Sequence, residues 1–329
     1  MSNPLDELEK YNINAKDIQK IKDIGINSIQ GLYMARRKNL LNIKGFTEKK
    51  VNNIFDAANK IEVYRLFQKG SDFLNERNNN IFKISTSSIK LDNMLNGGIE
   101  SSSITEIVGE KNTCKTDFLH ILAVSTYKNN NNTKIIYIDF DGTFNKKRIN
   151  EFSKALNVNK KKALENIVLI NNIINYEQLM QKLNEISEKT HKGEYSLIII
   201  ESLISIFQNY YKENISMNSQ INEIELKIDI QSRLGQILLK LKNIALLFNI
   251  VVVTTRRINN DKNSDESIKD FDLIKYDPNI DIILGNECNT RIKFKKIKNG
   301  KIKCLILNSP VLPENECKFI INENGITDC

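Results

Sequence analysis

Residues 104–127, I-T-E-I-V-G-E-K-N-T-C-K-T-D-F-L-H-I-L-A-V-S-T-Y, constrain this chain more than any other stretch. Residues 104–108 are strand-forming, 109–116 make a polar loop, and from Lys115 onward Phe118, Leu119, Ile121 and Leu122 follow at helical spacing. A strand, a loop ending in Lys-Thr and a helix form a phosphate-binding unit, whose pattern G-x-x-x-x-G-K-[ST] here reads G-E-K-N-T-C-K-T. In such a unit the loop N–H groups and the helix N-terminus hold phosphates, the lysine reaches the outer phosphates, and the hydroxyl binds Mg²⁺. Gly109, Lys115 and Thr116 keep their places, while Cys114 stands where the second glycine belongs. The plain alternative is a chance Gly and Lys-Thr at an ordinary helix start, so the surroundings must decide.

Downstream, residues 134–140 (K-I-I-Y-I-D-F) read as a buried strand ending in Asp139, with Asp141 two residues on. A second buried strand, 196–202, ends at Glu201, and a third spans 250–255. Helices are predicted over 146–159, 176–190 and about 228–248. Strands alternating with long helices predict an α/β core with a mainly parallel sheet covered on both faces. Ligands bind such sheets at the carboxyl ends of the strands, where Gly109, Asp141, Glu201 and Thr255 fall. Residues 85–98 predict a capped short helix and a glycine turn. Residues 256–278 predict a long surface loop, and 291–307 a hairpin around Asn299-Gly300.

Ahead of this core, residues 5–60 read as several short helices. Segments 23–27 (D-I-G-I-N) and 42–47 (N-I-K-G-F-T) each set a glycine between apolar residues before a helical pattern resumes. Turns of this sort present N–H groups to a phosphate backbone, and Arg36, Arg37, Lys38, Lys44, Lys49 and Lys50 surround the second one. A helical bundle for protein contacts, with a basic solvated face, is the competing reading. Residues 61–80 look like a linker in which Phe67-Gln-Lys-Gly70 precedes an amphipathic stretch.

The net charge of +8 points mildly to a polyanionic partner, although heavy use of Asn, Lys and Ile throughout dilutes that pointer. Five scattered cysteines (Cys114, Cys288, Cys304, Cys317 and Cys329) and only two histidines, His120 and His191, argue against a disulfide framework, a zinc site or a histidine-based metal site. The N-terminus carries no apolar leader and no apolar run is long enough to span a bilayer, so a reducing cytosolic or nuclear space and no membrane are expected.

Taken in order, these motifs resemble the RecA-type strand-exchange recombinases of eukaryotes, the meiosis-specific branch in particular. The likeness runs through N-I-K-G-F-T-E-K-K-V-N-N-I-F-D-A-A-N-K, L-D-N-M-L-N-G-G-I-E-S-S-S-I-T-E, F-L-H-I-L-A-V and N-S-P-V-L-P-E-N-E-C-K-F-I-I. It implies a helix-hairpin-helix domain at 1–62, a linker with an oligomerisation motif at 63–80, and a RecA-like ATPase core at 81–329. It further implies nuclear ATP- and Mg²⁺-dependent pairing and strand exchange, in meiotic recombination or double-strand break repair. Single- and double-stranded DNA are the implied partners, along with further copies of the chain joined through Phe67 and Gly70, and recombination mediators.

The implied nucleotide contacts are Gly109, Glu110, Lys111, Asn112, Thr113, Cys114, Lys115, Thr116 and Arg148. Thr116 and Glu201 would serve Mg²⁺, with Lys115, Glu201 and Asp141 as the catalytic set. Departures accompany the likeness. Asp141 takes the place of the family's catalytic glutamate and Glu201 that of its magnesium-supporting aspartate. Asn145 replaces an adenine-stacking arginine, Arg256 a γ-phosphate-sensing glutamine, and Asn308 an aspartate that caps the neighbouring protomer's nucleotide. Gln208 stands for an arginine of the first DNA-binding loop, Ile280-Asp281 for a glycine pair, and Gly70 for an alanine. Together they weigh on hydrolysis more than on binding. An accessory paralogue that joins filaments without turning over ATP, and a plain DNA-binding protein with a decayed site, are the alternatives.

Overall fold

The computed structural model describes residues 5–258 and 278–329, apart from 27, 36, 67–68, 131, 191–192 and 218–222. Contacts divide the chain into two compact units, Met1–Ile81 with Lys182–Lys192, and Phe82–Gln181 with Gly193–Cys329.

The first unit opens with a short 3₁₀ turn, Leu5–Tyr11, followed by α1 (Ala15–Asp23), α2 (Ile29–Met34), α3 (Arg37–Leu41), α4 (Glu48–Leu66) and α5 (Gly70–Asn80). Gly25 and Gly45, both at φ 91°, make the turns after α1 and α3, a conformation open to glycine at little steric cost. Leu8, Ile18, Ile21, Leu32, Leu40, Ile54 and Ala58 close into a core of their own. The stretch read as a linker is largely helical: α4 runs to Leu66 and α5 begins at Gly70. Phe67 and Arg36 lie outside the described residues.

In the second unit, β1 (Lys83–Ile84) is followed by α6 (Ile89–Met94), capped by the Ser88 hydroxyl, and by β2 (Ile99–Glu100), which pairs with β1. Next come β3 (Ser103–Gly109), α7 (Lys115–Asn129), β4 (Lys134–Asp139), α8 (Lys146–Ala155), α9 (Lys160–Glu165), β5 (Ile167–Ile170), α10 (Tyr176–Lys189, which from Lys182 onward belongs to the first unit), β6 (Tyr195–Glu201), α11 (Ile206–Met217), α12 (Glu223–Phe248) and β7 (Val251–Arg257). The chain closes with α13 (Pro278–Glu287), β8 (Thr290–Lys296), β9 (Ile302–Asn308), β10 (Glu316–Asn322) and β11 (Gly325–Asp328).

Among the described residues one sheet of nine strands runs in the order β11-β10-β9-β8-β3-β7-β6-β4-β5. From β8 through β5 every pairing is parallel, and the β8–β9 hairpin starts an antiparallel extension to β11. β3, β6 and β7 are buried almost end to end, as strands covered on both faces must be, which explains their unbroken apolar runs. Ile107, Phe118, Leu119, Tyr137, Val251, Val253 and Phe294 pack together where α7 lies against the sheet.

This is the RecA-like α/β architecture expected, with local corrections. The predicted helix 146–159 ends at Ala155, and α9 starts only after Asn157 at φ 56°. Residues 256–257 belong to β7 rather than to a loop, and 259–277 lie outside the described residues. Gln208, placed in a loop from sequence, lies on α11. β1, β2, β5, β10, β11, α9, α11 and α13 were not predicted.

Candidate phosphate and metal site

β3 leads into the site at Gly109, whose backbone passes so close to its neighbours that a Cβ would lie 2.7 Å from both the Phe294 carbonyl oxygen and Thr113 Oγ1. Only glycine fits there. The loop then doubles back through two left-handed residues, Asn112 (φ 61°) and Cys114 (φ 57°, ψ 28°). Asparagine tolerates that region, whereas cysteine is strained there by about 1–2 kcal/mol. Burial, and then Asp117, push the Cys114 thiol pKa up, so the side chain stays neutral and does not repel phosphate.

Lys115 folds back over the loop. Its Nζ donates to the carbonyl oxygens of Gly109 (2.8 Å) and Glu110 (2.7 Å) and to Thr113 Oγ1 (3.1 Å). Burial, and next the nearby Arg257, lower its pKa to about 8. The Thr116 hydroxyl donates to one oxygen of Glu201, and Tyr137 Oη donates to the other at 2.6 Å. Glu201 is 3% exposed, and burial holds its pKa above the usual range despite these donors. Asp139, where β4 ends, accepts from the backbone N–H groups of Asp141 (3.2 Å) and Phe144 (2.7 Å). It ties the turn that leaves Asp141 exposed at the rim.

These groups surround a cavity of about 300 Å³, lined among others by Lys111, Asn112, Lys115, Thr116, Asp141 and Glu201. Gly109, Glu110 and Thr113 shape the loop. Among the described residues no group of three or more His, Cys, Asp or Glu gathers into a cluster able to hold a metal ion. A Mg²⁺ held by a hydroxyl, a carboxylate and phosphate oxygens needs no such cluster.

Other expected contacts stand elsewhere. Arg148 does not line the cavity, because its Nε is paired with Asp117 (2.9 Å), its Nη1 with Glu151 (2.7 Å), and its guanidinium lies 4.5 Å over the Phe152 ring. Asn145 caps α8, its Oδ1 accepting from the Lys147 N–H (2.9 Å) while its own N–H donates to His120 Nε2 (3.1 Å). Arg256 borders the cavity but is no free sensor: buried, it donates through Nε to Glu106 (2.9 Å) and through Nη2 to Asp281. Arg291 completes the cluster through Glu106 (2.6 Å) and Asp281 (2.6 Å). Asn308, at the end of β9, donates to the Gly285 carbonyl (3.3 Å).

Sequence reasoning missed Tyr137, His120 and Arg257. The signal for Arg257 was present: Val251 and Val253 face the core beneath α7, so by strand alternation Thr255 and Arg257 share that face, while the Arg256 guanidinium turns to Glu106 although the residue borders the same cavity.

With this geometry in hand, the likenesses to known proteins carry weight. The Rad51 family model matches residues 77–329. Over 98% of its length the chain is 32% identical to the "Meiotic recombination protein DMC1" of Saccharomyces cerevisiae, covering 94% of that protein. It is 33% identical to the "Meiotic recombination protein DMC1/LIM15 homolog" of Mus musculus and to that of Homo sapiens, covering 92% of each.

Proposed function

The chain belongs to the Rad51 family, and from that premise we propose that it is an ATP-dependent recombinase of the meiotic branch, pairing homologous DNA and exchanging strands. The observation that carries this reading is the convergence of Lys115, Thr116, Glu201 and Asp141 on one cavity beside a loop too tight for any residue but Gly109. The residues present fit Mg-ATP. Thr116 and Glu201 would hold the metal, which when bound neutralises charge on the outer phosphates. Lys115 binds those phosphates, and the loop from Gly109 to Cys114 supplies backbone donors. Asp141, exposed at the rim, orients the attacking water. Arg148 lies outside the phosphate cavity and is offered as a contact for the base end.

DNA, both single- and double-stranded, is the partner, gripped through phosphate contacts that weaken with salt. The place of action is the nucleus, where chromosomal DNA lies. Copies of the chain assemble on DNA as a filament through Phe67 and Gly70. A paralogue without turnover is the weaker reading, because carboxylates persist at both acidic positions.

Two measurements test this. ATP turnover should be stimulated by single-stranded DNA; binding without turnover favours the paralogue. Lys115→Ala should weaken binding of a labelled ATP analogue at least tenfold, about 1.4 kcal/mol. Equal affinity in wild type and variant rules out this reading of the loop.

A further inference from the structure

β7 ends in two adjacent arginines, and the structure treats them oppositely. Arg256 is neutralised by Glu106 and Asp281 on one face of the sheet. Both residues border the cavity with Lys115, Thr116, Asp141 and Glu201, but Arg257 alternates to the other face of β7, where no carboxylate among the described residues pairs with it. In the parallel register it pairs with Gly109, so its Cα is level with the first residue of the loop.

Among the described residues the charge of Arg257 is unanswered. Its Nε is buried without a hydrogen-bond partner, and no side-chain hydrogen bond or ion pair to it is found among the described residues. A buried cationic donor without an acceptor is costly. Lys115, a second cation, lines the same cavity. Two like charges drawn together, one with a buried empty donor, describe a cavity built for a ligand of high negative charge.

We propose that Arg257 is a phosphate-binding residue of this cavity, supplied from within the chain, that recognises the terminal phosphate of a nucleoside triphosphate. The loop and Lys115 take the phosphates nearest α7. Arg257 approaches from the neighbouring strand, beside Thr255 and across from the carboxylates, so it meets the phosphate that projects beyond the loop. A guanidinium suits that position because its planar donors match two phosphate oxygens at once. The inference rests on the reading of the cavity as a triphosphate site, and the two fail differently.

The test is calorimetric binding of a β,γ-imido ATP analogue and of ADP, with Mg²⁺, to the full chain. Wild type is compared with Arg257→Ala, Arg257→Gln, Arg257→Lys and Lys115→Ala. Expected is a roughly tenfold loss of analogue affinity in Arg257→Ala, a change below about twofold for ADP, and partial rescue by Arg257→Lys. The neutral, polar Arg257→Gln gives the same reading if the alanine variant fails to fold by circular dichroism. Equal losses for both nucleotides, or none, while Lys115→Ala weakens both, overturn the proposal and leave the site intact. Weakened single-stranded DNA binding without nucleotide, at unchanged nucleotide affinity, assigns Arg257 to DNA instead and also overturns it. A wild type that binds neither nucleotide removes the triphosphate site itself, and this role with it.

Discussion

A cysteine at φ 57° in the phosphate loop poses a question that magnitudes can decide. Replacing it by glycine relieves about 1–2 kcal/mol of strain in the fold, but costs about 0.5–1 kcal/mol through the freer unfolded chain. The two nearly offset, so Cys114→Gly should change stability by about 1 kcal/mol or less. Its effect belongs to the chemistry, where small displacements of reacting groups cost on the order of 10²-fold. DNA-stimulated turnover should therefore rise several-fold at nearly constant analogue affinity, and further when Asp141→Glu is added. Unchanged turnover and binding exonerate the cysteine.

Arg256 and Asp281 teach a second lesson at this scale. Each reads in sequence as an isolated departure, yet in the fold they are partners around buried Glu106. Asp281→Gly leaves two arginines on one carboxylate and should destabilise the fold. Adding Arg256→Gln should recover part of that loss, with a coupling of about 0.5–3 kcal/mol in denaturant titrations. Strict additivity refutes the partnership. Spacing exposed the loop residues, because their chemistry is local. It could not expose a pair whose members are 25 residues apart and meet only when α13 docks beside β7.

At the scale of elements, His120 joins α7 to the turn before α8. Its Nδ1 lies 2.8 Å from the Thr116 carbonyl oxygen and so carries the proton, while Nε2 accepts from the Asn145 N–H. The ring is fully buried and stacked on Tyr137, and burial lowers its pKa below 6.5. A histidine held neutral contributes stability that is complete above its unfolded pKa and is lost as pH falls from 6.5 toward the lower folded value. Glu201, with its raised pKa, acts with the opposite sign, so the comparison must isolate the histidine. Stability measured at pH 7.5 and 5 should fall more in wild type than in His120→Gln; equal slopes remove the histidine from the account. Elements with strong periodicity or unbroken apolar runs, such as α12, β4 and β6, were legible in the sequence. β5 was not, being a four-residue edge strand, and neither was α11.

For the whole molecule, the proposed assembly runs through a segment that sequence describes as a phenylalanine and a glycine three apart, where the resemblance implies alanine at the second position. Phe67 lies outside the described residues, but Gly70 is the first residue of α5, and a Cβ added there meets nothing within 4 Å. Alanine is thus sterically free at this position, and at most about 1 kcal/mol of helix propensity favours it. Gly70→Ala should leave the midpoint of thermal unfolding almost unchanged. If the methyl serves a neighbouring copy, the same substitution should enlarge the assemblies formed on single-stranded DNA and raise the salt concentration at which they dissolve. Phe67→Ala should do the reverse, since aromatic anchors in pockets commonly contribute ~2 kcal/mol or more. Light scattering against DNA concentration reads both variants. A Gly70→Ala protein that is stabilised but assembles like wild type places the effect inside one chain and sinks the intermolecular role.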